Sequence, residues 1–201
     1  MLIALQAVPP SPPPEPGIYT NEEQVYFERE AGRTPPAWMG LRIERQGQRV
    51  VAQPIDAFGE ILGTAMPAPP VVERTDRGGH FTALLDRSTI RFNRARPFTC
   101  WVSVRRHADR ANGEADWSFD RNLSIHDQGG RVLVQPEGAP PVVIRMRNVV
   151  WPPPSTNRPS LVLYVHRPES PDRAESYSWA DPDARMVGIN LRWVQASCSR
   201  S

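Results

Sequence analysis

The chain contains no lysine: all 24 of its basic residues are arginine. Codon-level base composition accounts for such a bias without any physical need. An arginine-lined anion site would require a clustering that one dimension does not show. Charge of one sign is missing as well. The basic residues face 22 acidic ones, for a formal net charge of +2, and the signs are interleaved, as in Arg42-Ile43-Glu44-Arg45. Nucleic-acid binding calls for a basic stripe, with aromatics in it for single strands, so nucleic acid is not an expected partner. No stretch stays apolar for the roughly 18 residues of a membrane-spanning helix. The serine-hydrolase, zinc-protease, Walker and dinucleotide motifs are all absent. So are CxxC and any Cys/His spacing that makes a zinc site. No catalytic residue, metal or cofactor is therefore assigned, and an enzyme is unsupported.

What is present is punctuation. The 23 prolines and 13 glycines recur along the whole chain, which excludes long helices and favours short strands with frequent turns. A length of 201 residues suits one domain of sandwich or barrel size. The organising stretch is 98–106. Phe98, Cys100, Val102 and Val104 alternate with Thr99, Trp101, Ser103 and Arg105, the period of a strand with one buried face.

The chain opens with a short apolar run ending at Ala7, then a proline-rich tract to Pro16. Residues 1–16 read as a signal remnant and an extended tether, which makes a periplasmic or secreted location the expectation. A short helix is expected over 21–31, with Thr20 or Asn21 as its cap, Glu23 completing a capping box with Thr20, and Gly32 as the stop. Strands are expected over 41–44, 49–55, 80–85, 88–93, 98–106, 117–127, 131–136, 142–151, 161–167 and 188–197. Turns are expected at 46–48, 86–87 and 128–130. Residues 17–201 thus read as a single, mainly β domain: an antiparallel β-barrel or β-sandwich of about ten short strands with one short N-terminal helix. A subdivision is marked only by the glycine and prolines of 138–141.

Cys100 and Cys198 both fall on expected strands. An exported chain would join them, whereas a reduced one would hold two buried thiols. The histidines His80, His107, His126 and His166 are scattered. His126 and Asp127 are adjacent, so on a strand they point to opposite faces.

Two groups of residues stand out for binding. Trp101 lies opposite the apolar face of its strand beside Arg105, and Tyr164 shares a face with His166. Together they would suit a pocket with an aromatic wall and a few polar groups. The long proline-rich link 168–185 carries Tyr177, Trp179, Asp181 and Asp183, an aromatic-polar set of the kind that contacts partners. Its two aspartates lack the spacing of a calcium loop. The first group favours a small apolar or amphipathic ligand bound without catalysis. The second favours an envelope protein as partner.

Thr20-Asn21-Glu22-Glu23-Gln24 at the opening helix is similar to the start of the CpcT/CpeT-type chromophore lyases. The strand with Cys100 and the later Asp127-Gln128-Gly129 resemble a later part of that family. The resemblance covers a minor part of the chain, and the intervening family segment has no counterpart here. It implies a calycin-like barrel that handles linear tetrapyrroles, a third expectation behind ligand binding and protein interaction.

Overall fold

A computed structural model of the protein describes residues 12–74, 79–108 and 110–201. The expected signal remnant before residue 12 lies outside the described residues. In the last part of the expected tether, Pro14 is buried and Glu15 pairs with Arg74 (3.2 Å) and Arg94 (3.1 Å). The described residues form fifteen strands and one helix, so the expected class, mainly antiparallel β with one short helix, is what the chain adopts. The strands group into two compact units, one of residues up to 54 with 62–94, the other of 55–61 with 95–201. Each is described by itself.

The first unit is a seven-stranded antiparallel sheet. Its strands are β1 (Gly17–Thr20), β2 (Gly40–Gln46), β3 (Arg49–Ile55), β4 (Met66–Pro67), β5 (Val71–Arg74), β6 (His80–Leu85) and β7 (Ser88–Arg94), in the order β4-β3-β2-β1-β7-β6-β5. Alternation buries Tyr19, Leu41, Ile43, Phe81 and Phe92 on one face. Phe81 stands 5.2 Å from Tyr19 and 5.1 Å from Phe92 between ring centres. The turn between β6 and β7 puts Asp86 and Arg87 at φ 46° and 66°, the left-handed pair that a two-residue hairpin needs.

Helix α1 (Glu22–Glu30) carries Glu22 and Glu23 in its first turn, as the helix dipole favours. Thr20 Oγ1 accepts from the Glu22 N–H at 3.2 Å. Asn21 is buried and ties the helix start to the segment before β2, accepting from the Met39 N–H (2.7 Å) and donating to the Ala37 carbonyl (2.8 Å).

The second unit is built from β8 (Pro97–Val104), β9 (Asp120–His126), β10 (Gln128–Val134), β11 (Val142–Val149), β12 (Ser160–His166), β13 (Ala174–Ala180), β14 (Met186–Asn190) and β15 (Val194–Arg200). Two four-stranded sheets, β10-β11-β12-β13 and β14-β15-β8-β9, face each other across one core. Phe98, Cys100, Val102 and Val104 come from one sheet, and Ile144, Met146, Leu161, Leu163 and Val165 from the other. The strands follow one another round the unit in chain order, and the last, β15, pairs antiparallel with the first, β8. At one seam Ser178 Oγ of β13 donates to the Gly188 carbonyl of β14 at 2.7 Å. At the other, β9 runs into β10 through the single residue Asp127. The interior is filled by side chains, so the unit is a flattened eight-strand meander around a packed core.

Cys100 and Cys198 face each other directly across the β8–β15 ladder, both buried, with Cα atoms 4.0 Å apart and sulfurs at bonding distance, 2.03 Å. The cysteine pair is placed as the expected disulfide requires, at the strand pair that closes the meander.

Asp127 holds the corner where the chain leaves one sheet for the other. Its carboxylate accepts from the Arg96 backbone N–H (2.8 Å) and binds the Arg96 guanidinium. Its own carbonyl accepts from the Asn148 N–H at 2.6 Å. The turn expected at 128–130 is instead the start of β10, with a register shift between Gln128 and Arg131. A bulge is what lets a strand bend from one sheet into the next.

A Cβ on Gly130 would sit 2.7 Å from both the N and the O of His126, and backbone cannot swing aside. Gly130→Ala is therefore expected to cost about 2 kcal/mol through overpacking. Urea unfolding of the variant against the parent measures it, and an unchanged midpoint would place the bend elsewhere.

Four strands escaped the sequence reading, and one expected strand is two. β1, β4 and β5 are short and lie beside proline-rich segments, where few alternating positions exist to be seen. The stretch 188–197 is a hairpin. β14 ends at Asn190, the Leu191 N–H donates to the Val194 carbonyl at 2.8 Å, and β15 begins. Apolar spacing continued through the turn and hid it. The link 168–185, expected as a loop, contains β13, which pairs with β12 along its whole length. The 138–141 stretch is the connection between β10 and β11.

Candidate functional site

The outer face of β12 and β13 gathers most of the residues singled out from the sequence. Along β12, Leu161, Leu163 and Val165 enter the core, so Ser160, Val162, Tyr164 and His166 face outward. The antiparallel register sets Tyr177 opposite Tyr164 and Trp179 opposite Val162. Tyr164 then lies 6.0 Å from Tyr177 and 6.0 Å from His166 between ring centres. The Arg145 guanidinium stands 5.9 Å over the Tyr164 ring, as its pairing across β11–β12 requires.

β13 inverts the usual burial rule. Ser176 and Ser178 are the more covered positions, while Tyr177 is 63% and Trp179 is 74% exposed. Exposed apolar surface costs about 25 cal/mol per Å² relative to burial. Two adjacent large aromatics left in water are thus an expense that folding does not require.

A groove of about 450 Å³ opens beside Trp179, lined by Arg158, Pro159 and Ser160 at the start of β12 and by Ala180, Asp181 and Pro182 at the end of β13. Asp181 is fixed at its rim, its Oδ1 accepting from the Asp183 N–H at 2.9 Å. Asp183 turns away and pairs with Arg96 at 3.3 Å. The two aspartates therefore do not converge. Among the described residues no group of three or more His, Cys, Asp and Glu side chains could hold a metal.

His166 is buried at 2% exposure although it lies on the outer face. Burial, with the Arg145 and Arg131 guanidiniums nearby, pushes its imidazole down from 6.5 to about 4. The Arg173 backbone and the Asp172 carboxylate pull weakly the other way. At neutral pH it is an uncharged ring in an arginine-rich surround.

Trp101 and Arg105 lie apart from this face, on the other sheet. Trp101 packs 5.5 Å from Phe119, over which Arg121 stands at 4.6 Å. Arg105 bridges to Trp117, and its N–H donates to the Trp193 carbonyl at 2.9 Å. Of the four expected pocket residues the structure thus brings Tyr164 and His166 together and sets Trp101 and Arg105 elsewhere. It also joins Tyr164 to Tyr177 and Trp179, which were expected on a separate loop. Arg145, Arg158, Pro159, Ser160 and Pro182 were not foreseen. The signal for them was the β12–β13 register, visible only once 174–180 is read as a strand.

No helix among the described residues is long and apolar enough to cross a membrane. No protein-family description, curated protein or solved structure matches this chain.

Proposed function

We propose that this chain is an exported, non-enzymatic binding domain that receives a small amphipathic ligand on the outer face of β12 and β13. One observation carries the proposal: Trp179 stands exposed in a groove of mixed apolar and polar lining, with Tyr177 exposed two residues before it on the same strand. Ligand sites combine aromatic surface with a few placed polar groups, and this face supplies both. The buried cysteine pair supports the exported half of the reading, because such bonds persist in oxidising compartments.

Trp179→Ala is expected to leave unfolding stability within about 0.5 kcal/mol, since the side chain is surface-exposed. The same substitution should weaken ligand binding at least tenfold, the scale of a single anchoring aromatic. Tryptophan fluorescence with a panel of amphipathic probes reads both quantities in one sample. Quenching that vanishes in the variant supports the proposal. The absence of quenching with every probe, together with capture of a protein partner that Trp179→Ala releases, would move the face to protein interaction instead.

A further inference from the structure

We infer that the ligand class taken by this groove is a neutral oligosaccharide, laid across Trp179 and Tyr177. The inference rests on the binding role proposed above and goes further in naming the chemistry. Three polar side chains line the groove with three different hydrogen-bonding characters. Arg158 only donates, Asp181 only accepts, and the Ser160 hydroxyl, which donates to the Arg158 carbonyl at 3.4 Å, keeps its lone pairs to accept.

A purely apolar ligand would strip water from Arg158 and Asp181 and return nothing, at a cost for each buried polar group. An anion would meet the Asp181 carboxylate, and a cation would meet the Arg158 guanidinium. A neutral ring bearing several hydroxyls avoids all three penalties. Each hydroxyl can accept from Arg158 or donate to Asp181 or to the Ser160 oxygen.

The indole supplies the other half of the match. Its face carries the negative lobe of the ring quadrupole, and a pyranose presents a face of weakly positive C–H groups. Trp179 is open enough to be covered from outside. Tyr177 lies two residues along the same strand, a separation of about 7 Å from strand rise alone. That gives a second platform and favours a chain of sugar rings over a single ring. Pro159 and Pro182, both lining the groove, add rigid walls that lose little entropy on binding.

The test uses the full chain, produced in an oxidising compartment, on an array of neutral glycans. Titrations with cellohexaose, chitohexaose and maltohexaose, followed by tryptophan fluorescence, accompany it. The expected result is retention of at least one neutral glycan, with the oligomer binding at least tenfold tighter than its monosaccharide. Affinity should be unchanged between about 0.05 M and about 0.5 M salt, because a neutral ligand has no charge to screen. Trp179→Ala should lower affinity at least tenfold, and Asp181→Ala severalfold, with unfolding midpoints unmoved.

Retention of no neutral glycan overturns the inference. If amphipathic probes still quench Trp179 in that case, the binding role stands and only the ligand class fails. If neither glycans nor probes respond, both fail. Binding of a proline-rich peptide in place of any glycan, or an affinity that collapses with salt, would likewise overturn the saccharide assignment while leaving the site in place.

Discussion

Reducing the bond between Cys100 and Cys198 is expected to lower the stability of the 95–201 unit by about 4–5 kcal/mol, the entropy cost of closing a loop of roughly 100 residues. The sequence separation is 98, so almost the whole unit lies inside that loop. The cross-link acts chiefly on the unfolded chain, which it forbids from expanding. The reduced protein should therefore unfold at lower urea, and with a steeper dependence on urea, since more surface is exposed. Replacing both cysteines with alanine should reproduce the shift and add the loss of two buried sulfurs from a packed core. Urea curves with and without reductant provide the measurement. An unmoved midpoint, with two thiols titrating in the untreated protein, would show that the cysteines are not joined.

Acid is expected to weaken the fold through His166 by about 2–3 kcal/mol, because burial holds the imidazole well below its ordinary value and each tenfold in proton affinity is worth about 1.36 kcal/mol. The imidazole sits at about 4 in the fold against 6.5 for an unperturbed histidine. Between those values the unfolded chain holds a proton that the folded chain refuses, so stability falls as pH drops. The contribution is fully present above pH about 6.5 and is gone below about 4. Arg145 and Arg131 face the ring and oppose its charging, whereas Asp172 and the Arg173 backbone favour it only weakly. His166→Gln cannot titrate. Its stability should fall less over the same interval, and the difference between parent and variant isolates this one group from every carboxylate. Parallel slopes for the two proteins would mean that the imidazole accepts its proton in place.

Period-two alternation made β8 readable, with Cys100 inward and Trp101 outward, because one face of that strand is apolar throughout. The same rule put Tyr164 and His166 on one face of β12. It failed at β13, where serines are covered and Tyr177 and Trp179 are exposed. Hydropathy assigns aromatics to the interior, so a strand that turns them outward reads as a loop. The grouping of Trp101 and Arg105 with Tyr164 and His166 failed for a different reason. Each residue does face outward from its strand, but the strands belong to opposite sheets, and sheet membership depends on long-range pairing. The bend at Asp127 was hidden because two glycines after an aspartate and a glutamine look like a turn. Only the close approach of Gly130 to the His126 backbone distinguishes a bulge from it.

The seam between β8 and β15 also decides how this unit answers to force. Phe98 pairs with Arg200 and Thr99 with Ser199, so the start of one strand lies beside the end of the other. Tension applied between residue 95 and the C-terminus would open that ladder from its end, one rung at a time. After those two rungs it meets Cys100 and Cys198. There the load passes from hydrogen bonds to sulfur, and every strand between the two cysteines is shielded from the pull. A chain tethered at these points would extend by a few residues and then stop, for as long as its surroundings remained oxidising.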